Sequence, residues 1–311
     1  MTTSTRETEC PLVSVVIPVY NRKNIVLRAI ESVLEQDYSN IEIIIVDDGS
    51  TDGTSLFIKE SMADIRVNLY WQENQGACVA RNFGIERAKG KYVALLDSDD
   101  VFLQGHIKSS VSVLEREENL TVIYGRIVVD RGNGRTFLKP PRELRSNEVV
   151  SEYLLCDQGF IQTSTVVLPR ELALNVGYDR NLKFGQDTDF AIRLSRAGAN
   201  FIMLSDPQAI WADQSAPGRV SNSLDPMIRI NWLNKMNGII TRRARIGDEG
   251  WYVAKCYFNK GKYIFAAALF LRAVLSGCYH PKLAVRIALQ IFLPPTLYRK
   301  LADITLSQAK K

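Results

Sequence analysis

The first hundred residues alternate between two hydrophobic periods. Val13–Val19 is a mostly apolar, β-branched run, which predicts a strand buried on both faces. Residues 24–36 have helical spacing, with Ile25, Ala29, Val33 and Leu34 on one face and charges opposite. A second buried strand is predicted at 41–46, a helix at 51–61 that Asp52 helps to start, and a strand at 66–71. Residues 76–88 read as a helix stopped by Gly90, and 92–96 as a fourth strand. This β-α-β-α-β-α-β order predicts a doubly wound parallel sheet with right-handed crossovers. Ligands in such sheets bind beyond the carboxyl ends of the strands. The residues that matter should therefore follow Val19, Val46, Trp71 and Leu96.

Further along, a helix is predicted at 104–116 and a strand at 122–129. Pro140-Pro141 interrupts the pattern. Residues 146–155 read as helix, 163–168 as strand, 190–196 as a helix ended by Gly198, and 201–204 as strand. Residues 214–223 have the polar, Gly- and Pro-containing composition of a mobile loop. After Pro226 only helical periods remain. The expected division is a domain over 11–225 and a helical region over 226–311.

Charge sharpens this division. The chain of 311 residues has a net charge of +5, but residues 226–311 hold 15 basic and 3 acidic side chains. The first 225 residues hold 24 basic and 31 acidic ones. An acidic larger part argues against nucleic-acid binding. The basic end points to phosphates, an acidic lipid face or an acidic partner. Five dispersed cysteines without a CxxC pair exclude a disulfide framework or structural zinc site, and a reducing, cytoplasmic compartment is expected. The first ten residues lack the apolar core of a signal peptide, and no apolar run reaches ~18 residues.

Carboxylates stand at the predicted strand ends. Asp47-Asp48-Gly49-Ser50 follows the second strand. It makes good turn chemistry, yet a turn needs only one of the two acids. Asp97-Ser98-Asp99-Asp100 follows the fourth strand. Three acids in four residues repel one another unless a cation neutralises them, and hard oxygen ligands suit Mg²⁺ or Mn²⁺. A solvated loop capping the next helix is the alternative. No GxxxxGK[ST] or GxGxxG turn is present to cradle phosphates. Gly185-Gln186-Asp187-Thr188-Asp189 opens a helix. One acid there can be an N-cap, and the second suits the positive helix end or general-base work.

Taken together, these segments resemble the family 2 glycosyltransferases with the GT-A fold. The resemblance is carried by Val15-Val16-Ile17-Pro18-Val19-Tyr20-Asn21 and by Ile44-Ile45-Val46-Asp47-Asp48-Gly49-Ser50-Thr51-Asp52. Asn74-Gln75-Gly76 leading to Ala80-Arg81-Asn82-Phe83-Gly84, Leu95-Leu96-Asp97-Ser98-Asp99-Asp100 and Gly185-Gln186-Asp187 complete it. It spans roughly residues 11–213. Gln186 stands where the family usually has a second acid. The resemblance implies an α/β GT-A fold with a mixed sheet and a helical C-terminal appendage. It also implies a nucleotide-sugar donor, most often a UDP-sugar, and a divalent metal, Mn²⁺ or Mg²⁺. Pro18, Tyr20, Asp48 and Arg81 would line the nucleotide pocket. Asp97 would face the ribose or sugar, and Asp99 would ligate the metal. Asp187 would be the catalytic base of an inverting transfer to a glycan or lipid-linked hydroxyl, as in cell-surface polysaccharide synthesis. The family often places a His after the base helix. Asp213 stands there instead and is a candidate metal ligand, while His106 is expected on a helix surface.

Two rivals are weighed against this reading. Asp97-Ser98-Asp99-Asp100-Val101 imitates the nucleophile motif of a haloacid-dehalogenase-like phosphatase, although that motif normally follows a first strand. A non-catalytic scaffold of the same fold is the other rival. In the C-terminal region, Ala254, Tyr257, Gly261, Ala266, Phe270 and Ala273 fall at the small and aromatic positions of one tetratricopeptide-like helix pair. Residues 283–293 and 297–306 carry Arg286, Arg299 and Lys300 beside apolar positions. That pattern suits either a core-facing helix or an interfacial helix on an anionic membrane face.

Overall fold

The computed structural model describes residues 10–117, 120–132, 134–157, 159–212, 225–294 and 297–298. Asp213 and the 214–223 loop lie outside the described residues, as do 299–306 of the predicted basic helix. In chain order the elements begin β1 (Val13–Val19), α1 (Val26–Leu34), β2 (Ile41–Asp48), α2 (Thr54–Ser61), β3 (Val67–Gln72), α3 (Ala77–Arg87) and β4 (Tyr92–Leu95). Next come β5 (Val101–Phe102), α4 (His106–Leu114), β6 (Thr121–Asp130), β7 (Thr136–Lys139) and α5 (Val150–Cys156). They continue with β8 (Val167–Pro169), α6 (Arg170–Val176), α7 (Gln186–Arg196) and β9 (Asn200–Ala212). The chain then holds α8 (Pro226–Lys235), α9 (Arg242–Asp248), α10 (Ala254–Asn259), α11 (Tyr263–Leu275) and α12 (Pro281–Phe292). Two compact units result: Met1–Arg126 with Gln162–Leu182 and Ala199–Trp211, and Ile127–Ile161 with Lys183–Gly198 and Ala212–Lys311.

The first unit is built on a sheet in the order β3-β2-β1-β4-β8-β6-β9-β5. β1 pairs in parallel with β2 and β4, and β2 with β3. Beyond β4 the pairing reverses: β8 is antiparallel to β4 and to β6, and β5 to β9. The sheet is therefore mixed, as the resemblance implies, and the parallel order read from the first hundred residues holds for the four strands it covers. β1 is buried throughout and β2 almost so, which is why both read as near-continuous apolar runs. α3 lies close against this sheet. A Cβ on Gly84 would come within 2.4 Å of Val16 Cγ1, so a side chain there is excluded.

In the second unit, the end of β6 forms a hairpin with β7, from Ile127 opposite Lys139 to Asp130 opposite Thr136. The helical pair α10–α11 turns at Gly261, whose φ of 76° favours glycine. Ala254, Ala266 and Ala273 are fully buried, as the helix-pair spacing predicts, and Tyr257 meets Phe265 edge-on at 4.7 Å. This pair does not bury its face alone. α12 adds Leu283, Ile287 and Ile291 to the same core, and Phe292 meets Phe258 and Phe270 at 5.4 and 5.8 Å. The apolar stripe of α12 thus faces the protein.

His106 departs from its predicted surface position. It is fully buried at the start of α4, with Nδ1 2.9 Å from Gln208 Oε1. Gln208 Nε2 donates to Asp206 O, which fixes the amide so that its oxygen faces the imidazole. Burial pushes the imidazole pKa down to about 4. A depressed histidine keeps its proton longer in the unfolded chain, so folding stability falls as pH drops from about 6.5 towards 4. The expected contribution to that loss is on the order of 3 kcal/mol. Urea titrations of the wild type and His106→Gln at pH 7 and pH 5 check it, and the variant should lose less stability on acidification.

Candidate active site

The parallel register brings the predicted strand-end residues to one edge. Val19 lies opposite Asp47, and Leu96 N donates to Val16 O at 3.1 Å. Tyr20, Asp48 and Asp97 therefore leave the sheet on the carboxyl edge of the adjacent strands β2, β1 and β4. Pro18 is buried within β1, whereas Tyr20 is 46% exposed. Asn21 takes a positive φ of 52° and ties the two loops together, accepting from Thr51 N and donating its own N–H to Ser50 Oγ.

The paired acids after β2 divide two tasks. Asp47 is fully buried and makes the turn, accepting from Ser50 N at 2.8 Å and from the Ser55 hydroxyl. Asp48 reaches the next loop, accepting from Gln72 Nε2 at 2.7 Å, Gln75 N at 2.9 Å and Gly76 N at 2.8 Å. A carboxylate offers about four lone-pair positions, so Asp48 spends most of its capacity shaping the start of α3.

α3 carries Arg81, which is 5% exposed. Its Nη2 donates to Asp97 Oδ1 at 2.6 Å, and its guanidinium lies 5.1 Å from the centre of the Tyr178 ring. Tyr178 is itself held by Asn82 through a reciprocal pair of bonds, 2.8 and 2.7 Å long. Asp97 N donates to Ser164 Oγ, and Ser164 Oγ donates to Asp100 Oδ2 at 2.6 Å. Gln162 Nε2 donates to the same Asp100 oxygen at 2.8 Å. Burial, and then the charges of Asp97 and Asp99, hold the Asp100 carboxyl well above the usual carboxylate range. Its Oδ1 is buried and makes no hydrogen bond. Asp99 is more open, with Arg22 Nη2 3.7 Å away.

This cluster fits a divalent cation. It combines hard oxygen donors with a buried, unsatisfied carboxyl oxygen where like charges crowd. Among the described residues no three His, Cys, Asp or Glu side chains form a metal cage.

Asp187 belongs to the second unit. It lies in the first turn of α7 and is half-buried. The helix is capped by Gly185, whose φ is 74°, with no side-chain cap bond. The expected N-cap role for an acid here is therefore filled by a glycine. Asp189 is structural: it is buried and accepts from Arg193 Nε at 2.7 Å and Trp232 Nε1 at 2.9 Å. Arg229, also on α8, lies so near Gly185 that a Cβ there would meet its Nη1 at 2.7 Å. Asp248 accepts both Nε and Nη2 of Arg229, and both side chains are buried. α8 and α9 thus fix the helix end that presents Asp187.

A model of glycosyl transferase family 2 matches residues 14–171. The chain belongs to that family. It is 31% identical over 267 residues to the amylovoran biosynthesis glycosyltransferase AmsB of Erwinia amylovora, covering 83% of this chain and 89% of that one. An uncharacterized glycosyltransferase of Rickettsia felis is 34% identical over 192 residues, and there the match covers 60% of this chain and 32% of the relative. Among solved structures, residues 1–349 of S. aureus TarS in complex with UDP-GlcNAc align with a TM-score of 0.59 at 18% identity, covering 90% of this chain and 87% of that one. The mannosyltransferase PcManGT from Pyrobaculum calidifontis, in complex with GDP-Man and Mn²⁺, aligns with a TM-score of 0.62 at 20% identity, covering 97% and 87%. The likeness to these structures establishes the GT-A fold. The phosphatase and scaffold readings fall with the family assignment, because the transferase is an enzyme of the glycosyltransferase class.

Several residues around the transferase site carry no local sequence signal. Gln162 and Ser164 reach Asp100 across separations of 62 and 64 positions, and the Tyr178 ring meets Arg81 from a segment as distant. Trp232, Arg229 and Asp248 sit in helices read as an appendage. Their amphipathic spacing gave the helices but not the partners. Asp248→Ala should strand a buried guanidinium and lower stability by about 3–5 kcal/mol. Trp232→Phe should cost less, about 1–3 kcal/mol, because Asp189 keeps Arg193. Equilibrium urea unfolding of both variants measures the order.

Proposed function

We propose that the transferase moves a sugar from a nucleotide-sugar donor, a UDP-sugar, to a hydroxyl of a glycan or lipid-linked acceptor in cell-surface polysaccharide synthesis. The reaction inverts the anomeric centre. The enzyme works in the cytoplasm, peripheral on the inner face of the cell membrane. The observation that carries this reading is the common carboxyl edge shared by Tyr20, Asp48 and Asp97, with Arg81 bonded to Asp97. The biosynthetic role in the name of AmsB and the UDP-GlcNAc in the TarS structure support it.

Tyr20 offers an exposed ring on which a base can stack, and Pro18 backs it from within β1. Asp48 keeps the Gln75–Gly76 backbone in place, leaving little acceptor capacity for a donor N–H. Arg81 turns Asp97 so that its outer oxygen is available to ribose or sugar hydroxyls. A divalent cation, Mn²⁺ or Mg²⁺, held by Asp99 with Asp213 as a further ligand, would offset the charge that develops on the departing pyrophosphate. The Mn²⁺ bound with GDP-Man in PcManGT supports this assignment.

Asp187 accepts the proton of the attacking hydroxyl as the new glycosidic bond forms. It stands in the first turn of α7, where the positive helix end favours its charged form. Attack opposite the leaving group inverts the centre through an oxocarbenium-like transition state. Water must be excluded, since it would convert transfer into hydrolysis.

A panel of UDP- and GDP-sugars, scored by nucleotide release with and without Mn²⁺ or Mg²⁺, tests the donor and the metal together. UDP-sugar turnover should depend on the metal, and Asp99→Asn should abolish that metal-dependent turnover. Asp187→Asn should lower kcat by ~10²–10⁴ with little change in donor KM. Full activity in Asp187→Asn would remove it as the base.

A further inference from the structure

Between Glu249 and Asp303 the chain contains no Asp or Glu, but eight Lys or Arg. In this acid-free stretch the second unit also exposes an apolar stripe. Ile264, Ala268, Leu271 and Leu275 recur at i, i+4, i+7 and i+11 on α11, which places them on one face about 16 Å long. All four are exposed, Ile264 at 89% and Leu275 at 87%. Phe265 beside them is 50% exposed. The opposite face, with Ala266 and Ala273, is fully buried in the core. Apart from Arg272, α11 is therefore apolar on its outer side as well as on its packed side. A contiguous exposed stripe of this kind marks a contact surface.

Charge decides between occupants. Exposed Lys262 and Arg272 flank the stripe, Arg272 while pairing with Glu249 at 3.2 Å, and α12 exposes Lys282, Arg286, Val285 and Leu289. A second copy of this chain would bring like charges together, which costs free energy. An anionic bilayer meets both features: the apolar face enters the headgroup boundary, and the cations remain at the phosphates. The arginine-lined cleft, which Arg286 of α12 also lines, carries acids of its own. Its Arg142 is held by Glu148 and Asp157, and its Arg243 by Glu152.

We infer that α11, and not the core-facing stripe of α12, is the element that seats the transferase on an anionic membrane surface. The inference rests on the proposed membrane-proximal acceptor and names the surface that brings the enzyme to it. No helix among the described residues is long and apolar enough to cross a membrane, so the contact is interfacial.

The test uses the full chain and floats it with vesicles of equimolar phosphatidylcholine and phosphatidylglycerol, against phosphatidylcholine alone, at low and high salt. Binding should require the anionic lipid and weaken with salt. Ile264→Ser with Leu275→Ser should reduce partitioning by tenfold or more, on the order of a hundredfold for the pair, while the far-UV spectrum and UDP-sugar turnover in solution stay unchanged. The inference is overturned if the wild type does not bind anionic vesicles, or if the double variant binds as well as the wild type. It is equally overturned if the double variant instead loses a concentration-dependent dimer seen without lipid. Turnover without vesicle binding would overturn only this surface assignment. Vesicle binding without turnover of any nucleotide sugar would count against the proposed reaction instead.

Discussion

A carboxylate taken out of water loses several kcal/mol of hydration unless donors replace it. The architecture around the site follows from meeting that requirement repeatedly. Asp47 is met by its own turn, Asp48 by the backbone that opens α3, and Asp97 by Arg81. Asp100 is met on one oxygen by Ser164 and Gln162 and left unsatisfied on the other. In the second unit Asp189 draws in Arg193 and Trp232, and Asp248 draws in Arg229. Each carboxylate fixes a loop or helix end that sequence-local forces leave undetermined. The acidity that reads as a ligand set is thus, for most of these residues, the means by which the loops are held. Asp99 and Asp187 are the more open members.

How far the sequence could be read depends on the range of the interaction. β1, β2 and β4 were legible because strands buried on both faces leave an unmistakable apolar run, and the helices between them keep one apolar stripe, whereas β3 is the half-exposed edge strand. The GT-A fold was legible only through the resemblance that the strand-end motifs carry, and the helical C-terminal region through its helical periods. Residues 163–168 were not. They read as one strand, but Gln162 accepts from Ser164 N and Thr165 Oγ1 donates to Gln162 O, folding the first three residues into a 3₁₀ turn. That turn places Ser164 under Asp97. β7 and α6, at 4 and 7 residues, are too short to establish a period. His106 was misplaced because its environment is set by Gln208, 102 positions away. The candidate site was legible as a set of acids, and not as a network. Tyr178 and Trp232 gave no signal that they would be the partners.

The charge split of the sequence changes meaning once the pairs are known. Arg229 is buried against Asp248, Arg245 pairs with Glu249, and Arg243 with Glu152. Arginine's planar fork suits such fixed pairs, and several of these guanidiniums hold helices together. The excess of positive charge after Pro226 is therefore not all surface field. What remains outward is concentrated in the acid-free stretch that holds α11 and α12, where Arg272 reaches back to Glu249. A helix that is apolar on its buried side and on most of its outer side leaves one apolar face exposed. The same charge asymmetry that looks diffuse in composition becomes a directed feature, because pairing removes the arginines from it and burial removes half of the apolar residues.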